Sequence, residues 1–302
     1  MQIGVVLPAA EAGASGVTPP WAMVRSFAES AERHGLDSVW MIDHFFTATP
    51  DGRREGMHEV WTTIGAVAAV TARIQVGTLV VCSPFRNPAL TAKAAATVAE
   101  ISAGRLVLGL GAGWHDPEFA AFGYPLDHRV GRFAEALPIV AALLRGTTVS
   151  VDGRFHRMRE AELVPPPPHP VPVLVAAEGP RMLGLAAAYA DAWITAWYGH
   201  PDARLHAQLA AMDAVAAPAG RDRVQRFVGI NVHDPDGGVP PDPDESVILG
   251  SVRELAAALD AYAALGIDHV VVQLTPHDER SLVRLAAAVG RAACSRGRRP
   301  QT

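Results

Sequence analysis

Cysteine and lysine are nearly missing from this chain. Of its 302 residues two are cysteines, Cys82 and Cys294. They are too few and too far apart for a disulfide framework, and no ligand-spaced pair suits zinc, so no metal site is expected. Lys93 is the only lysine, which leaves arginine to carry almost all the positive charge. With the Ala-rich helical stretches, that bias points to genome composition rather than to a binding device. Charged residues in general are sparse at 19%, and the formal net charge of -5 leaves no basic footprint. Nucleic acid and anionic membrane are thereby excluded as expected partners. The one basic cluster, SRGRRPQT, closes the chain and reads as part of a solvated, flexible tail over 294–302. No run approaches the ~20 apolar residues of a membrane span. The opening MQIGVVLPAAEAG also lacks a basic stretch leading into a long apolar one, so the expectation is a cytoplasmic protein.

What is present is enough apolar material for a large core: 49% hydrophobic residues, with a mean hydropathy of +0.15. Short β-branched or leucine-rich runs recur at 2–7, 38–42, 74–81, 105–111, 171–177, 191–196, 226–232 and 269–274. Between and after them lie helical patterns at 21–35, 61–72, 88–102, 128–146, 179–190, 202–216, 251–266 and 279–293. Gly35, Gly146 and Gly266 stand where glycine ends a helix, and Ser251 with Glu254 forms a capping box. Continuous apolar strands, each followed by one helix, imply a parallel sheet covered by helices, and eight such repeats imply a closed (β/α)8 TIM barrel. The expected fold class is therefore α/β, one domain over 1–293. A small hairpin turning at Asp152-Gly153 is expected as an insertion between the fourth helix and the fifth strand.

The stretch LVLGLGAGWHDPEF, 106–119, places Gly109, Gly111 and Gly113 at the end of an apolar run. A dinucleotide fingerprint would need these glycines at a strand-to-helix turn with an acidic residue about 20 positions on, at the end of the next strand. The next strand pattern comes far later, so that reading fails. In a barrel the same glycines form the bare lip of strand four, with Gly111, Ala112 and Gly113 open to a planar ring. Barrel chemistry sits on the loops after the strands, and the long ones here follow strands one, two, four and seven, the last spanning 233–250.

Four segments in this order, SVWMIDHFF, ARIQVGTLVVCSPFRNPALTAK, SAGRLVLGLGAGWHDPEFAAFGYP and VLVAAEGPRMLGLAAAYADAW, resemble the luciferase-like flavin and deazaflavin oxidoreductases. The likeness is nearest to their actinobacterial branch, which uses coenzyme F-420. It runs from about residue 2 to residue 200. The resemblance implies a histidine at the position of His44 facing the reactive centre of the cofactor, where imidazole can give and take a proton near neutral pH. Asp43, beside it, would belong to the cofactor site. It implies a bulge with a non-proline cis peptide within Val80, Val81, Cys82 and Ser83, pressing backbone against the ring. It implies a cofactor phosphate at Gly179, Pro180 and Arg181, where the free N–H groups of a helix start suit an anion. Glu178 is an awkward neighbour for that phosphate. His115 stands where asparagine is frequent. The F-420 sugar dehydrogenases carry a catalytic glutamate near Trp114 that is missing here, which disfavours a sugar phosphate. Cys82 reads as a small buried hydrophobe rather than a nucleophile.

Phe45, Phe46, His58, Trp61, Trp197 and Tyr198 are candidates either for a substrate pocket or for lid packing. The expected activity is hydride transfer between coenzyme F-420 and a small organic substrate. Two alternatives stand beside it: a monooxygenase using reduced FMN, oxygen and a partner flavin reductase, and a barrel that binds flavin without turnover. A homodimer paired through the Ala-rich helices two and three is also implied, with a flavin or F-420 reductase supplying reduced cofactor.

Overall fold

The computed structural model describes residues 1–11, 17–49, 52–216, 224–238 and 244–295. In chain order the strands begin with β1 (Gln2–Val6), β2 (Ser38–Met41), a short pair β3 (Phe46–Ala48) and β4 (Arg54–Gly56), β5 (Gln75–Thr78), β6 (Val81–Cys82) and β7 (Leu106–Gly111). They continue with the pair β8 (Val149–Asp152) and β9 (Arg157–Ala161), then β10 (Val173–Ala176), β11 (Ala192–Tyr198), β12 (Gln225–His233) and β13 (His269–Thr275). The helices are α1 (Trp21–Arg33), α2 (Val60–Val70), α3 (Pro88–Ile101), α4 (Asp116–Phe122), α5 (Arg129–Leu144), α6 (Pro180–Tyr189), α7 (Ala203–Ala216), α8 (Val252–Ala264) and α9 (Glu279–Ser295).

Parallel pairing runs β10-β11-β12-β13-β1-β2-β5-β7 and returns from β7 to β10, so eight strands close a barrel with the helices outside. Both faces of each strand are covered, which is why β2 and β7 are buried at every position. Trp40 fills the barrel interior at zero exposure, and its neighbours explain two glycines. A Cβ on Gly4 would stand 2.6 Å from Trp40 Nε1, and one on Gly77 would stand 2.3 Å from its ring. The same layer buries His269, whose ring lies 2.7 Å from Ser38 Oγ and stacks on Phe227 at 4.5 Å. Burial pushes His269 down to about 3, so it is neutral in the folded protein.

All eight expected strands and eight expected helices form. Gly35, Gly146 and Gly266 adopt positive φ at helix ends, and the Ser251–Glu254 capping box closes reciprocally. The insertion hairpin β8–β9 pairs antiparallel, with Gly153 N donating to His156 O at 2.9 Å. Four features depart from expectation. Two helices, not one, follow β7: α4 is only seven residues long, too short for periodicity to reveal, and Gly123 ends it at φ 74°. The loop after β2 carries the β3–β4 pair, whose turn includes residues outside the described set. The third strand is broken into β5 and β6, and the expected non-proline cis peptide is present there, but at the Leu79–Val80 bond, one residue ahead of the expected Val80 to Ser83. Helix α9 runs through Ser295, two residues into the expected tail, and the rest of 294–302 lies outside the described residues. No helix among the described residues is long and apolar enough to cross a membrane.

Candidate active site

The chemistry gathers where β2, β5, β7, β10 and β11 end, around a cavity of about 470 Å³. Asp43 follows β2 and is buried. Its carboxylate accepts the Cys82 N–H at 2.8 Å and the guanidinium of Arg86, which also reaches Glu59 at 3.1 Å. The ion pair thus ties the tip of β2 to the break between β5 and β6. Asp43 lines the cavity, as expected of a residue of that site, while its side chain is engaged by Arg86 and by backbone and so anchors the wall.

His44, next in the chain, lines the cavity and meets Glu118 from the first turn of α4, Nδ1 to Oε2 at 2.7 Å. Glu118 is 1% exposed and its other oxygen accepts the N–H groups of Phe45 and Phe46. Burial pushes its carboxyl up, but the bond to His44, the imidazole charge and the two N–H groups outweigh that and hold it below the ordinary range. A carboxylate accepts only, so Nδ1 carries the hydrogen, and in the neutral imidazole it is Nε2 that has the lone pair. The arrangement is a carboxylate-oriented imidazole, able to take a proton at Nε2 and return it. Trp114, 69% exposed, and His115 set their rings edge-on to His44 at 5.4 and 6.0 Å.

The three glycines have separate reasons. Gly109 is held to Thr78, whose Oγ1 donates to its carbonyl at 2.9 Å, and a Cβ there would lie 1.9 Å from the Thr78 carbonyl oxygen. Packing alone explains it. Gly111 borders the cavity, and a Cβ on it would press to 2.7 Å from Val80 Cγ2. Gly113 needs glycine doubly, with φ +78° and Cys82 Sγ 2.6 Å from its notional Cβ. Ala112 lines the cavity between them.

Val80 and Cys82 also line the cavity, while Val81, alternating to the other face, is buried in the core between barrel and helices and is removed from the expected contact set. Burial, with the Asp43 charge next, pushes the Cys82 thiol well up, which leaves it inert as expected. His115 lines the cavity with Nε2 buried and unpartnered. Gly179, Pro180 and Arg181 open α6 on the exposed rim just outside it, beside Glu178 and Met182, which do line it. Glu178 leans toward Thr195 Oγ1 at 3.5 Å and Arg204 at 3.9 Å.

Of the rim residues, only Trp197 lines the cavity. Tyr198 is fully buried against Thr195, and His58 is bonded to the Pro19 carbonyl at 2.7 Å. Phe45 stacks on Phe85 at 4.8 Å, Phe46 packs edge-on to His115, and Trp61 packs on the core outside the barrel. Sequence reasoning missed Glu118 and Arg86. The expected lack of a glutamate beside Trp114 is correct for that position, yet a carboxylate reaches the site from further along. Among the described residues no group of three or more His, Cys, Asp or Glu could hold a metal ion.

The oriented imidazole and the apolar cavity lie at the carboxyl ends of a closed β/α barrel, the end at which such barrels carry their sites. The luciferase-like monooxygenase family model matches residues 1–233, and the chain belongs to that family. It is 38% identical over 201 residues to an F-420-dependent hydroxymycolic acid dehydrogenase of Mycobacterium tuberculosis, covering 65% of this chain and 54% of that protein. It is 37% identical over 174 residues to an F-420-dependent glucose-6-phosphate dehydrogenase of Amycolatopsis mediterranei, covering 56% and 51%. Those alignments span about half the length of these curated relatives. A phthiodiolone/phenolphthiodiolone dimycocerosates ketoreductase of a Mycobacterium species is 30% identical over 308 residues, covering 91% and 78%. The fold is shared with an F-420-dependent secondary alcohol dehydrogenase solved with an F-420-acetone adduct, at TM-score 0.81, 22% identity and coverage of 96% and 98%.

Proposed function

We propose that this protein is an F-420-dependent oxidoreductase that moves a hydride between the deazaflavin and a small organic substrate of the alcohol–carbonyl pair. The observation that carries the reading is the His44–Glu118 pair on the wall of a largely apolar cavity. The cavity volume lies within the ~300–1,000 Å³ common for cofactor and small-ligand sites. Its lining fits a flat neutral ring with one hydrogen-bonding edge. Val80, Gly111 and Ala112 would lie against the ring face, and the unpartnered His115 Nε2 would meet its polar edge. Gly179, Pro180 and Arg181 would hold the phosphate, with Glu178 drawn aside by Thr195 and Arg204.

When bound, the deazaflavin supplies two-electron hydride chemistry at one ring carbon. The chain's own part is orientation and the proton. In alcohol oxidation the C–H hydrogen leaves with its electron pair as hydride, and the hydroxyl proton passes to His44 Nε2 as the C=O bond forms. Glu118 holds the imidazole in the tautomer this requires and stabilises its charged form. In the reverse direction the same nitrogen returns the proton to the carbonyl oxygen. The relatives named as dehydrogenases and a ketoreductase support the substrate class.

Titration of the purified protein with oxidised F-420 and, separately, with oxidised and reduced FMN, followed by fluorescence, tests the reading. Tight binding of F-420 alone is expected. Selective binding of reduced FMN would move the protein to the monooxygenase class, and binding of neither would remove the cofactor site. A homodimer and a reductase that supplies reduced cofactor belong to the same proposal, the first checked by light scattering.

A further inference from the structure

Ile42, just past β2, and Trp197, in β11, each border two hollows in the barrel mouth. One is the cavity already described. The other, of about 610 Å³, is lined by Arg204, Asn231, Asp244, Glu245, Ser246 and Gln273 besides the two shared residues. We propose that this second hollow is the specificity half of the substrate site and takes a neutral, polyhydroxylated substrate. The inference rests on the oxidoreductase reading, which supplies the reacting carbon on the other side of Ile42 and Trp197.

The chemistry of the lining narrows the choice. Gln273 projects from β13 with Oε1 buried and without a hydrogen-bond partner in the protein, an acceptor that a donor on the ligand would satisfy. The outer wall is built, not loose: Asn231 Nδ2 donates to Ser246 O at 3.3 Å, and Ile248 pairs with β12 on both sides. Ile248 N donates to Asn231 O at 2.9 Å, and His233 N donates to Ile248 O at 3.1 Å. An anion meets Asp244 and Glu245, while the one lining cation is engaged elsewhere. Arg204 lies over the Tyr198 ring at 3.9 Å and donates to the carbonyls of Ala196 and Trp197. An alkyl chain would strip water from amides and carboxylates and return nothing. An ammonium suits the carboxylates but only donates, so it offers no acceptor to the amide N–H groups of Asn231 and Gln273. A hydroxyl both donates, to Gln273 and Glu245, and accepts, from a side-chain amide N–H, which matches a mixed lining. Discrimination against a partner lacking the hydroxyl is then tenfold or more, on the order seen when a buried polar group is left unpaired.

The test uses three probes of one ring size: myo-inositol, inositol monophosphate and cyclohexanol. Binding to the full chain is read by ligand-observed NMR, with and without F-420, for wild type and Gln273→Leu. Inositol is expected to bind at least tenfold better than the other two and to lose about tenfold in Gln273→Leu. Preference for cyclohexanol or the phosphate, equal inositol binding by the variant, or no inositol binding overturns the proposal. Glu245→Gln, on the outer wall, serves the same comparison if Gln273→Leu fails to fold. F-420 affinity, read by fluorescence, reports separately: cofactor binding without inositol binding removes the subsite alone, and inositol binding without cofactor removes the oxidoreductase reading alone.

Discussion

Replacing Glu118 by glutamine changes one charge and almost no volume, and it isolates the orientation of His44. The side-chain oxygen still accepts from the Phe45 and Phe46 N–H groups, so the first turn of α4 keeps its attachment to the residues after β2. What faces His44 Nδ1, at 2.7 Å in the native pair, becomes an amide NH₂ that donates. The imidazole must then accept at Nδ1 and carry its hydrogen on Nε2, the nitrogen required as the base. A hydrogen bond to a charged group contributes about 2–3 kcal/mol net, which is roughly 30- to 150-fold in a rate limited by proton transfer. The assay is single-turnover cofactor reduction across pH, beside the F-420 dissociation constant by fluorescence and the midpoint of chemical denaturation. The expected result is a fall of that size in rate with the acidic limb of the pH profile displaced, an unchanged dissociation constant, and stability within about 1 kcal/mol of wild type. A rate within twofold of wild type, or a loss confined to cofactor affinity, refutes the assignment of His44 as the oriented base.

Asp43→Asn leaves the Arg86 guanidinium, 12% exposed, with only Glu59 as a counter-charge, and is expected to cost about 3 kcal/mol in urea denaturation; Arg86→Met in the same chain should recover part of it. Acid should destabilise the fold through its buried histidines. His269 is neutral when folded, with its pKa near 3, and takes up a proton near 6.5 when unfolded, so stability is full above 6.5 and falls as pH drops toward 3. The loss from this residue at pH 5 is about 2 kcal/mol, measured as the part of the change in unfolding free energy between pH 7.5 and 5 that disappears in His269→Gln, because His277, pushed down to about 4 by burial, adds a loss of its own. Gly146→Ala, at φ +77° with open space around its Cβ, should cost about 1–2 kcal/mol from backbone strain alone. Gly113→Ala has the same φ penalty and a Cβ 2.6 Å from Cys82 Sγ, so it should cost more and distort the cavity wall.

The barrel was legible because each of its repeats is written locally. A continuous apolar run reads as a strand covered on both faces, as LVLGLG does, and an amphipathic stretch ended by Gly35, Gly146 or Gly266 reads as one outer helix. Eight repetitions leave few ways to close. The bare lip at Gly111 and the placement of His44 at a strand tip were equally local, since both follow from where one strand stops. Short elements escaped: α4 spans two turns and β3–β4 three residues a side, below the length at which a period can be counted.

What the sequence by itself determined is therefore the repeat, the barrel end that carries the site, and the residue types at the strand tips. Tertiary structure alone decided which of those residues act together. His44 and Glu118 stand 74 positions apart and Asp43 and Arg86 stand 43 apart, so no local pattern relates either pair. Glu118 could be read as an ordinary acidic residue in a helix first turn, and Asp43 as a partner for ligand, until the fold set one side-chain partner against each, His44 and Arg86. A charge taken out of water must find a counterpart, and that counterpart is chosen by the closure of the barrel, not by the chain around it.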